Sequence, residues 1–206
     1  VQTCALPILI FRSVFGDSQM MTRVRPMLCW QQDWNDVTNK TLSFIDRYYS
    51  KRDARSDWND PHPVRYYIWG GGGSGYWYVH DENSGLTADN IWDRGTWNPQ
   101  KYYDQLANDA AWAKNYGLVY TAYEGDNHPS YNGDEPIMEQ VHWDPRMKNK
   151  TLEHLQVWNK LGGEIFNFLV LNNVSPCVWG VRNASDPSKS PQLDAITEFQ
   201  AASPLA

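Results

Sequence analysis

The sequence predicts an α/β protein in which helices cover a parallel β-sheet. Four apolar or β-prone segments alternate with helical patterns along the chain, and this alternation is typical of parallel strands joined by helical crossovers. The surplus length falls in polar loops that follow the predicted strands. Composition shifts nowhere in a way that marks a second domain, and 206 residues are enough for one domain with a substantial core.

The first half of the chain contains two of the four predicted strands. Thr38 or Asn39 is expected to cap the helix between them, because apolar residues recur there at spacings of three and four. The second strand ends in the run Gly70–Gly73, which allows close backbone approach. The elements expected in this half are a helix end at 9–15, a strand at 24–32, a helix reaching 49 and a strand at 64–69.

The second half contains the best-marked helix of the chain. Asn98 is expected to cap it, Pro99 to occupy its first turn, and Gly117 to end it. Polar loops are expected at 79–97 and 125–143. The remaining elements are a strand at 118–123, a helix at 147–161, a strand at 165–171 and a terminal helix from 191.

Four strand–helix units amount to half of a TIM barrel. The strands lie about 40 to 55 residues apart, and the excess is placed after strand ends, where (β/α)8 barrels build their function. The expected fold is therefore the C-terminal half, about four βα units, of a TIM (β/α)8 barrel with long strand-following loops. Residues 1–8 resemble a translated sequencing adapter, which leaves 9–206 as one partial domain whose N-terminal half is missing upstream.

Charge and composition exclude several classes of partner. The formal net charge is -6 and there is no Lys/Arg-rich run, so neither nucleic acid nor an anionic membrane is expected to bind. No apolar run approaches the roughly 20 residues of a membrane span. The glycine run lacks the features of phosphate-binding loops, and no cofactor is expected. Setting Cys4 aside with the adapter-like segment, Cys29 and Cys177 are too few for a disulfide framework.

The aromatic residues favour a carbohydrate partner. The chain has 11 Trp and 12 Tyr against 6 Phe, and polar-edged rings stack on sugars while their N–H or O–H groups meet hydroxyls. An oligo- or polysaccharide is therefore the expected ligand. The candidates for stacking are four tryptophans that lie in or after predicted strands, and core packing is the alternative for each: Trp30, Trp69, Trp77 and Trp179.

The segment 117–128 ends a predicted strand in a carboxylate. Glu124 follows Tyr120-Thr-Ala-Tyr123 and precedes a polar loop, and catalytic groups in parallel α/β proteins commonly occupy such strand ends. Alternation predicts that Tyr120, Ala122 and Glu124 face the barrel mouth, while Val119, Thr121 and Tyr123 face the helices. A structural ion pair or a solvent-facing glutamate is the alternative.

With the strands numbered five to eight, this segment resembles strand seven of the retaining (β/α)8 glycoside hydrolases. The resemblance covers 9–200 as architecture and, as motif, a strand ending in Tyr-Glu-Gly, supported by Trp69 and Trp179. It implies that Glu124 is the nucleophile and that the acid/base carboxylate, at the end of strand four, lies in the missing half. It also implies secretion of the intact protein to an extracellular or periplasmic location, and inactivity of the fragment alone.

Three neighbours in the sequence complete the predicted sugar site: Tyr123, Asn127 and His128. One alternative is a carbohydrate-binding barrel without catalysis. Another is a barrel enzyme of different chemistry that holds a metal, since His80, His128 and His142 all fall in strand-following loops, although none of them shares a short ligand spacing.

Overall fold

The structure is a computed structural model that describes residues 6–79, 85–129, 135–172 and 179–202. The chain is an α/β protein with a four-stranded parallel sheet. Its helices are α1 (Leu6–Phe15), α2 (Asn35–Tyr49), α3 (Val64–Tyr67), α4 (Arg94–Trp97), α5 (Pro99–Asn115), α6 (Glu135–His142), α7 (Arg146–Lys160) and α8 (Pro191–Ala202). Its strands are β1 (Met27–Cys29), β2 (Gly70–Gly72), β3 (Trp77–Tyr78), β4 (Val119–Ala122), β5 (Asn127–His128) and β6 (Gly163–Phe166).

The chain divides into two compact units, each built from several segments. Unit 1 comprises residues 1–74, 105–123 and 163–165. Unit 2 comprises residues 75–104, 124–162 and 166–206.

Unit 1 is organised around the larger sheet, whose strands follow the order β1-β2-β4-β6. β1 pairs with β2 in parallel, Leu28 opposite Gly71, and β2 pairs with β4 in parallel, Gly71 opposite Tyr120. Strands that are neighbours in this sheet are therefore also successive in the chain, except that the short strands β3 and β5 of the second sheet lie between them. The inner strands β2 and β4 are almost wholly buried.

The second strand lies later in the chain than the sequence predicts. Residues 64–67 form the short helix α3, so the predicted strand at 64–69 is wrong, and the glycines themselves form β2. Tight packing explains why glycine is required. A Cβ on Gly71 would lie 2.6 Å from Cζ3 of Trp30, and a Cβ on Gly72 would collide with the carbonyl oxygen of Thr121. The strand interior thus has no space for side chains, and period-two alternation is absent from its sequence.

Three other predicted boundaries also move. β1 covers only three of the nine residues predicted as strand. Helix α2 begins at Asn35 after Trp34, so neither Thr38 nor Asn39 is its cap. The last strand begins directly after Gly162, at Gly163, and ends at Phe166, earlier than the predicted 165–171.

The predicted limits of helix α5 are confirmed. The side-chain oxygen of Asn98 accepts a hydrogen bond from the backbone N–H of Lys101 at 3.1 Å, as an N-cap does. The helix runs from Pro99 to Asn115, and Gly117 adopts a φ of +67° just beyond it. These local signals need no tertiary context, which is why the sequence reveals them.

Unit 2 contains a small sheet that the sequence does not predict. β3 and β5 pair in parallel, with Trp77 opposite Asn127 and Tyr78 opposite His128. Both strands are two residues long, and β5 lies in a segment predicted to be loop, as does helix α6. Strands this short are below the length at which alternation can be recognised.

Candidate functional site

Glu124 and Tyr76 form a pair in unit 2. The Glu124 side chain is half-buried, and Tyr76 is buried, with 6% of its surface exposed. Burial, then the nearby Glu124 carboxylate and its hydrogen bond with the phenol, raise the pKa of Tyr76. Glu124 also anchors the backbone, because its carbonyl oxygen accepts a hydrogen bond from Gly75 N–H at 2.7 Å. The predicted carboxylate is therefore held by a phenol donor.

Tyr120 on strand β4 is buried, with 5% of its surface exposed. Burial and then the charge of Asp109, a residue of helix α5, raise the pKa of Tyr120. The strand ends at Ala122, and Tyr123 and Glu124 lie in a bend. Period-two alternation holds only within a strand, and it cannot be extended to Glu124.

His128 and Trp179 form a stacked aromatic pair beside Tyr76. Their ring centroids are 4.0 Å apart with an interplanar angle of 11°. Trp179 also meets Tyr76 edge to face, at 5.4 Å and 68°. Tyr76 thus connects Glu124 to the aromatic pair. We call Glu124, Tyr76, His128 and Trp179 the carboxylate–aromatic cluster.

A buried polar cluster surrounds Gly180, the residue after Trp179. His142 Nε2 donates to the Gly180 carbonyl oxygen at 2.6 Å, and the amide of Gln192 donates to His142 Nδ1 at 3.4 Å. Asp126 is fully buried, and its Oδ1 accepts the Asn127 N–H at 2.7 Å. Its Oδ2 has no partner in good hydrogen-bond geometry.

The ionisation of this polar cluster follows from its burial. Burial raises the pKa of Asp126 to about 8, because the Asn127 and Gly180 N–H groups and the Gln192 amide offset only part of the desolvation. Burial lowers the pKa of His142 to about 4, and burial together with the nearby His142 lowers that of His128 to about 4. All three groups are therefore uncharged at neutral pH.

Asn127 is a structural residue of unit 2. Its amide nitrogen donates to Thr151 Oγ1 at 2.7 Å, and its Oδ1 accepts from His154 Nδ1 at 2.8 Å. All three side chains are fully buried. Both ends of the Asn127 amide are occupied, which leaves no group to bind the predicted sugar in this conformation.

Trp77 is packed on both faces. It stacks on Tyr102 at 4.4 Å with an interplanar angle of 3°, and the ammonium of Lys150 lies 4.1 Å from its ring centroid. Its Nε1 donates to the Trp97 carbonyl oxygen at 2.6 Å, and 1% of its surface is exposed. These contacts favour the core-packing alternative over sugar stacking.

Trp30 belongs to the core of unit 1. Its Nε1 donates to Asp109 Oδ1 at 3.0 Å, and its ring packs over Gly71. Burial raises the pKa of Asp109 to about 7, although the hydrogen bond from Trp30 acts to lower this pKa. The indole N–H is thus committed to a buried carboxyl group, which again favours core packing.

Trp69 was predicted to end a strand, but in the structure it precedes β2. Its ring centroid lies 4.8 Å from the guanidinium of Arg25, and its backbone N–H donates to the Pro26 carbonyl oxygen at 2.8 Å. Because β2 begins at Gly70, this tryptophan marks the amino end of the strand. The error follows from assigning the strand to 64–69.

The structure therefore joins three of the eight predicted site residues into one cluster: Glu124, His128 and Trp179. The small sheet of unit 2 contains Trp77, Asn127 and His128. Unit 1 contains Trp30, Trp69 and the half-buried Tyr123.

The sequence did not point to Tyr76 or Gln192 as site residues, and it pointed to His142 only for the metal alternative. Tyr76 lies one residue after the Gly-rich segment, and its position beside Glu124 depends on the Gly75 to Glu124 hydrogen bond. His142 and Gln192 are 50 residues apart in the chain. No local pattern signals such a contact.

Among the described residues, no group of three His, Cys, Asp or Glu side chains is placed to hold a metal ion. His80, one of the three histidines of the metal alternative, lies outside the described residues. Within the same ranges, no helix is both long and apolar enough to cross a membrane.

Comparison with protein-family models, curated proteins and solved structures finds no match to this chain.

Proposed function

We propose that this chain is part of a carbohydrate-active protein, a retaining glycoside hydrolase in which Glu124 is the nucleophile. The observation that carries the proposal is the link from Glu124 through Tyr76 to the stacked pair of His128 and Trp179. A carboxylate held by a phenol beside a half-buried indole combines a nucleophile with a surface for a sugar ring.

The parallel sheet supports the barrel part of the proposal. Its strand order β1-β2-β4-β6 follows the chain, as consecutive strands of a (β/α)8 barrel do. We assign these strands to positions five to eight, which places β4 at position seven and Glu124 two residues after its end in sequence. The missing N-terminal half-barrel is then the partner that completes the protein.

In the proposed reaction, the Glu124 carboxylate attacks the anomeric carbon and forms a covalent glycosyl ester. A second carboxyl group, about 5 Å from the first in retaining enzymes, protonates the departing oxygen. Asp126 is uncharged at neutral pH but is fully buried, so it is not this acid. We assign the acid to the upstream half, at the end of strand four. The chain alone should therefore not turn over ordinary glycosides.

The choice of substrate follows from the stacking residues. Trp179 is half-buried, in contrast to the fully packed Trp77, and it is the tryptophan we assign to an oligo- or polysaccharide. We expect the intact protein to be extracellular or periplasmic.

The test uses the intact protein, obtained by recovering the upstream reading frame. Hydrolysis of a panel of aryl glycosides by the parent and by Glu124→Gln should differ by at least a thousandfold, since the amide cannot form the ester. Asp126→Asn is the matched control, because its carboxyl group is uncharged and buried. Normal hydrolysis by Glu124→Gln would exclude the nucleophile role.

A non-catalytic carbohydrate-binding barrel is the second candidate. The stacked pair of His128 and Trp179 favours it, because stacking binds a sugar without any carboxylate chemistry. Under this alternative, Glu124→Gln binds polysaccharide like the parent, neither protein cleaves it, and strand four ends without Glu or Asp.

A further inference from the structure

The backbone on the C-terminal side of Trp179 is held in place by hydrogen bonds. Gly180, the next residue, is buried, and its carbonyl oxygen lies 2.6 Å from Nε2 of His142. The N–H of Val181 donates to the Val170 carbonyl oxygen at 2.9 Å. The indole is therefore attached to a segment that is fixed within unit 2.

The chemistry of the groups around His142 sets the direction of each hydrogen bond. A carbonyl oxygen can only accept, so Nε2 of His142 carries the proton. Burial lowers the pKa of His142 to about 4, so the ring is neutral at neutral pH and its Nδ1 is an acceptor. The amide nitrogen of Gln192, 3.4 Å away, donates to this Nδ1. A chain of donors therefore runs from Gln192 through His142 to the Gly180 carbonyl oxygen.

Two helices of unit 2 supply this chain of donors. His142 is the last residue of α6, and Gln192 is the second residue of α8. Both residues have 0% of their surface exposed. Because neither side chain can reach water, each depends on partners inside the protein. The hydrogen bond to Gly180 therefore has no solvent alternative in the folded state.

The ring contacts of Trp179 leave its backbone to be fixed separately. The ring is half-buried, stacks on His128 and meets Tyr76 at an edge. Aromatic pairs tolerate a range of offsets and angles, whereas a hydrogen bond requires a narrow range of distance and direction. The ring contacts thus orient the indole, and the hydrogen bond at Gly180 fixes the point from which it extends.

We propose that His142 is a positioning residue for Trp179, which it holds in place through the Gly180 carbonyl oxygen. Gln192 in turn orients the His142 ring. The inference rests on the proposed function, because Trp179 is the indole assigned to the sugar, and it adds two buried residues that no sugar would touch. A histidine with only a structural role would stabilise unit 2 without a specific effect on Trp179.

Three variants separate positioning from general stability. His142→Leu removes both ring nitrogens, whereas His142→Gln keeps an N–H donor that can reach the Gly180 carbonyl oxygen. Ile91→Ala is the control for lost stability, because Ile91 is 1% exposed in the same unit and supplies no polar group to the chain of donors. The free energy of unfolding of each variant is measured in urea, so that the variants are compared with their stability known.

The first measurement is fluorine NMR of the full chain labelled with 5-fluorotryptophan. Trp179→Phe identifies the Trp179 resonance, whose position reports the neighbouring rings of His128 and Tyr76. We expect His142→Leu to shift and broaden this resonance. His142→Gln and Ile91→Ala should leave it where it is in the parent. No sugar is needed, so this result tests positioning apart from the proposed function.

The second measurement is affinity electrophoresis in gels that contain a soluble glucan, xylan or mannan. In the gel that retards the parent, His142→Leu should raise Kd about tenfold, because an indole that is no longer preorganised loses more entropy on binding. His142→Gln should restore most of the affinity, and Ile91→Ala should bind like the parent. If no polysaccharide retards the parent, the sugar role of Trp179 fails, while the NMR result still decides whether His142 positions the ring.

An unchanged Trp179 resonance in folded His142→Leu would overturn the proposal. Equal shifts in His142→Leu and His142→Gln, or in His142→Leu and Ile91→Ala, would do the same, because loss of the donor would then not be the cause. If His142→Leu does not fold, Gln192→Leu takes its place, since it removes the donor to Nδ1 while keeping the ring. A Trp179 resonance that Gln192→Leu leaves in place would then overturn the proposal.

Discussion

The imidazole of His128 lies parallel to the indole of Trp179, with ring centroids 4.0 Å apart. The contact covers one face of Trp179 with a ring that is uncharged at neutral pH, because burial and the nearby His142 lower the pKa of His128 to about 4. Tyr76 also contacts Trp179, with ring centroids 5.4 Å apart and 68° between the ring planes. The indole is therefore oriented before any ligand arrives, which reduces the entropy lost on binding.

Trp179→Ala is expected to abolish sugar binding with a small effect on stability. The ring is half-buried, and stacked aromatic pairs contribute about 0.5–1.5 kcal/mol beyond their burial. Affinity electrophoresis in polysaccharide gels, together with urea unfolding, measures the two effects. If a polysaccharide gel that retards the parent retards Trp179→Ala to the same extent, Trp179 does not belong to the sugar site.

Trp77→Ala should show the opposite pattern. Its ring is packed between Tyr102 and Lys150 and is 1% exposed, so its loss should destabilise unit 2 by about 3–5 kcal/mol. The measurement is the free energy of unfolding in urea. A loss below about 1 kcal/mol would contradict the core role.

Tyr76→Phe removes the phenol that meets Glu124 while keeping the ring against Trp179. A hydrogen bond to a charged group contributes about 1.5–3 kcal/mol. The rate at which Glu124 is modified by an activated glycoside should therefore fall about 10- to 100-fold. Tyr78→Phe, two residues further along the chain, is the control. Equal rates in the parent and Tyr76→Phe would show that the phenol does not position the carboxylate.

Asp126→Asn should change the pH dependence of stability. An unfolded Asp ionises near pH 3.9, whereas burial raises the pKa of Asp126 to about 8 in the folded protein. Between these values the folded state holds a proton that the unfolded state has released, so this carboxyl group lowers the free energy of unfolding as pH rises.

The variant should therefore gain stability over the parent as pH increases from about 4 to 8. Urea unfolding of both proteins at pH 4.5 and pH 8 measures the difference, in which the opposite contributions of His128 and His142 cancel. The same difference at both pH values would contradict the buried, uncharged state of Asp126.

Gly72→Ala tests the packing of the sheet. The added Cβ would collide with the Thr121 carbonyl oxygen, which is backbone and cannot move aside. A loss of at least about 1–3 kcal/mol is expected from overpacking. Gly70→Ala is the graded comparison, since its Cβ would lie 3.0 Å from the Val119 carbonyl oxygen, and it should cost less. Thermal unfolding ranks the two variants, and equal stability of Gly72→Ala and the parent would contradict this packing.

The sequence predicted those features that depend on local signals. Asn98 and Gly117 delimit α5 through their own side chain and dihedral angle, and the parallel α/β class follows from the alternation of elements. The glycine strand could not be predicted, because Gly70–Gly72 are buried by contacts with Trp30 and Thr121 that lie far away in sequence.

The candidate site shows the same division. Glu124, His128 and Trp179 could be selected because each lies near a predicted strand end. Whether an indole is a surface or a core residue depends on what covers it, and Trp77 and Trp179 look alike in sequence. The polar groups around Gly180 come from α6, α8 and the segment after β4, so no sequence window contains them.

The most direct test of Glu124 is covalent trapping with 2,4-dinitrophenyl 2-deoxy-2-fluoroglycosides of several configurations. The dinitrophenolate departs without protonation, so the nucleophile can be labelled without the acid of the upstream half. We predict that mass spectrometry finds one sugar ester, on Glu124, and none in Glu124→Gln. Saturable binding of the sugar that depends on Trp179, with no label on Glu124 or with a label on another carboxylate, would contradict its role as nucleophile.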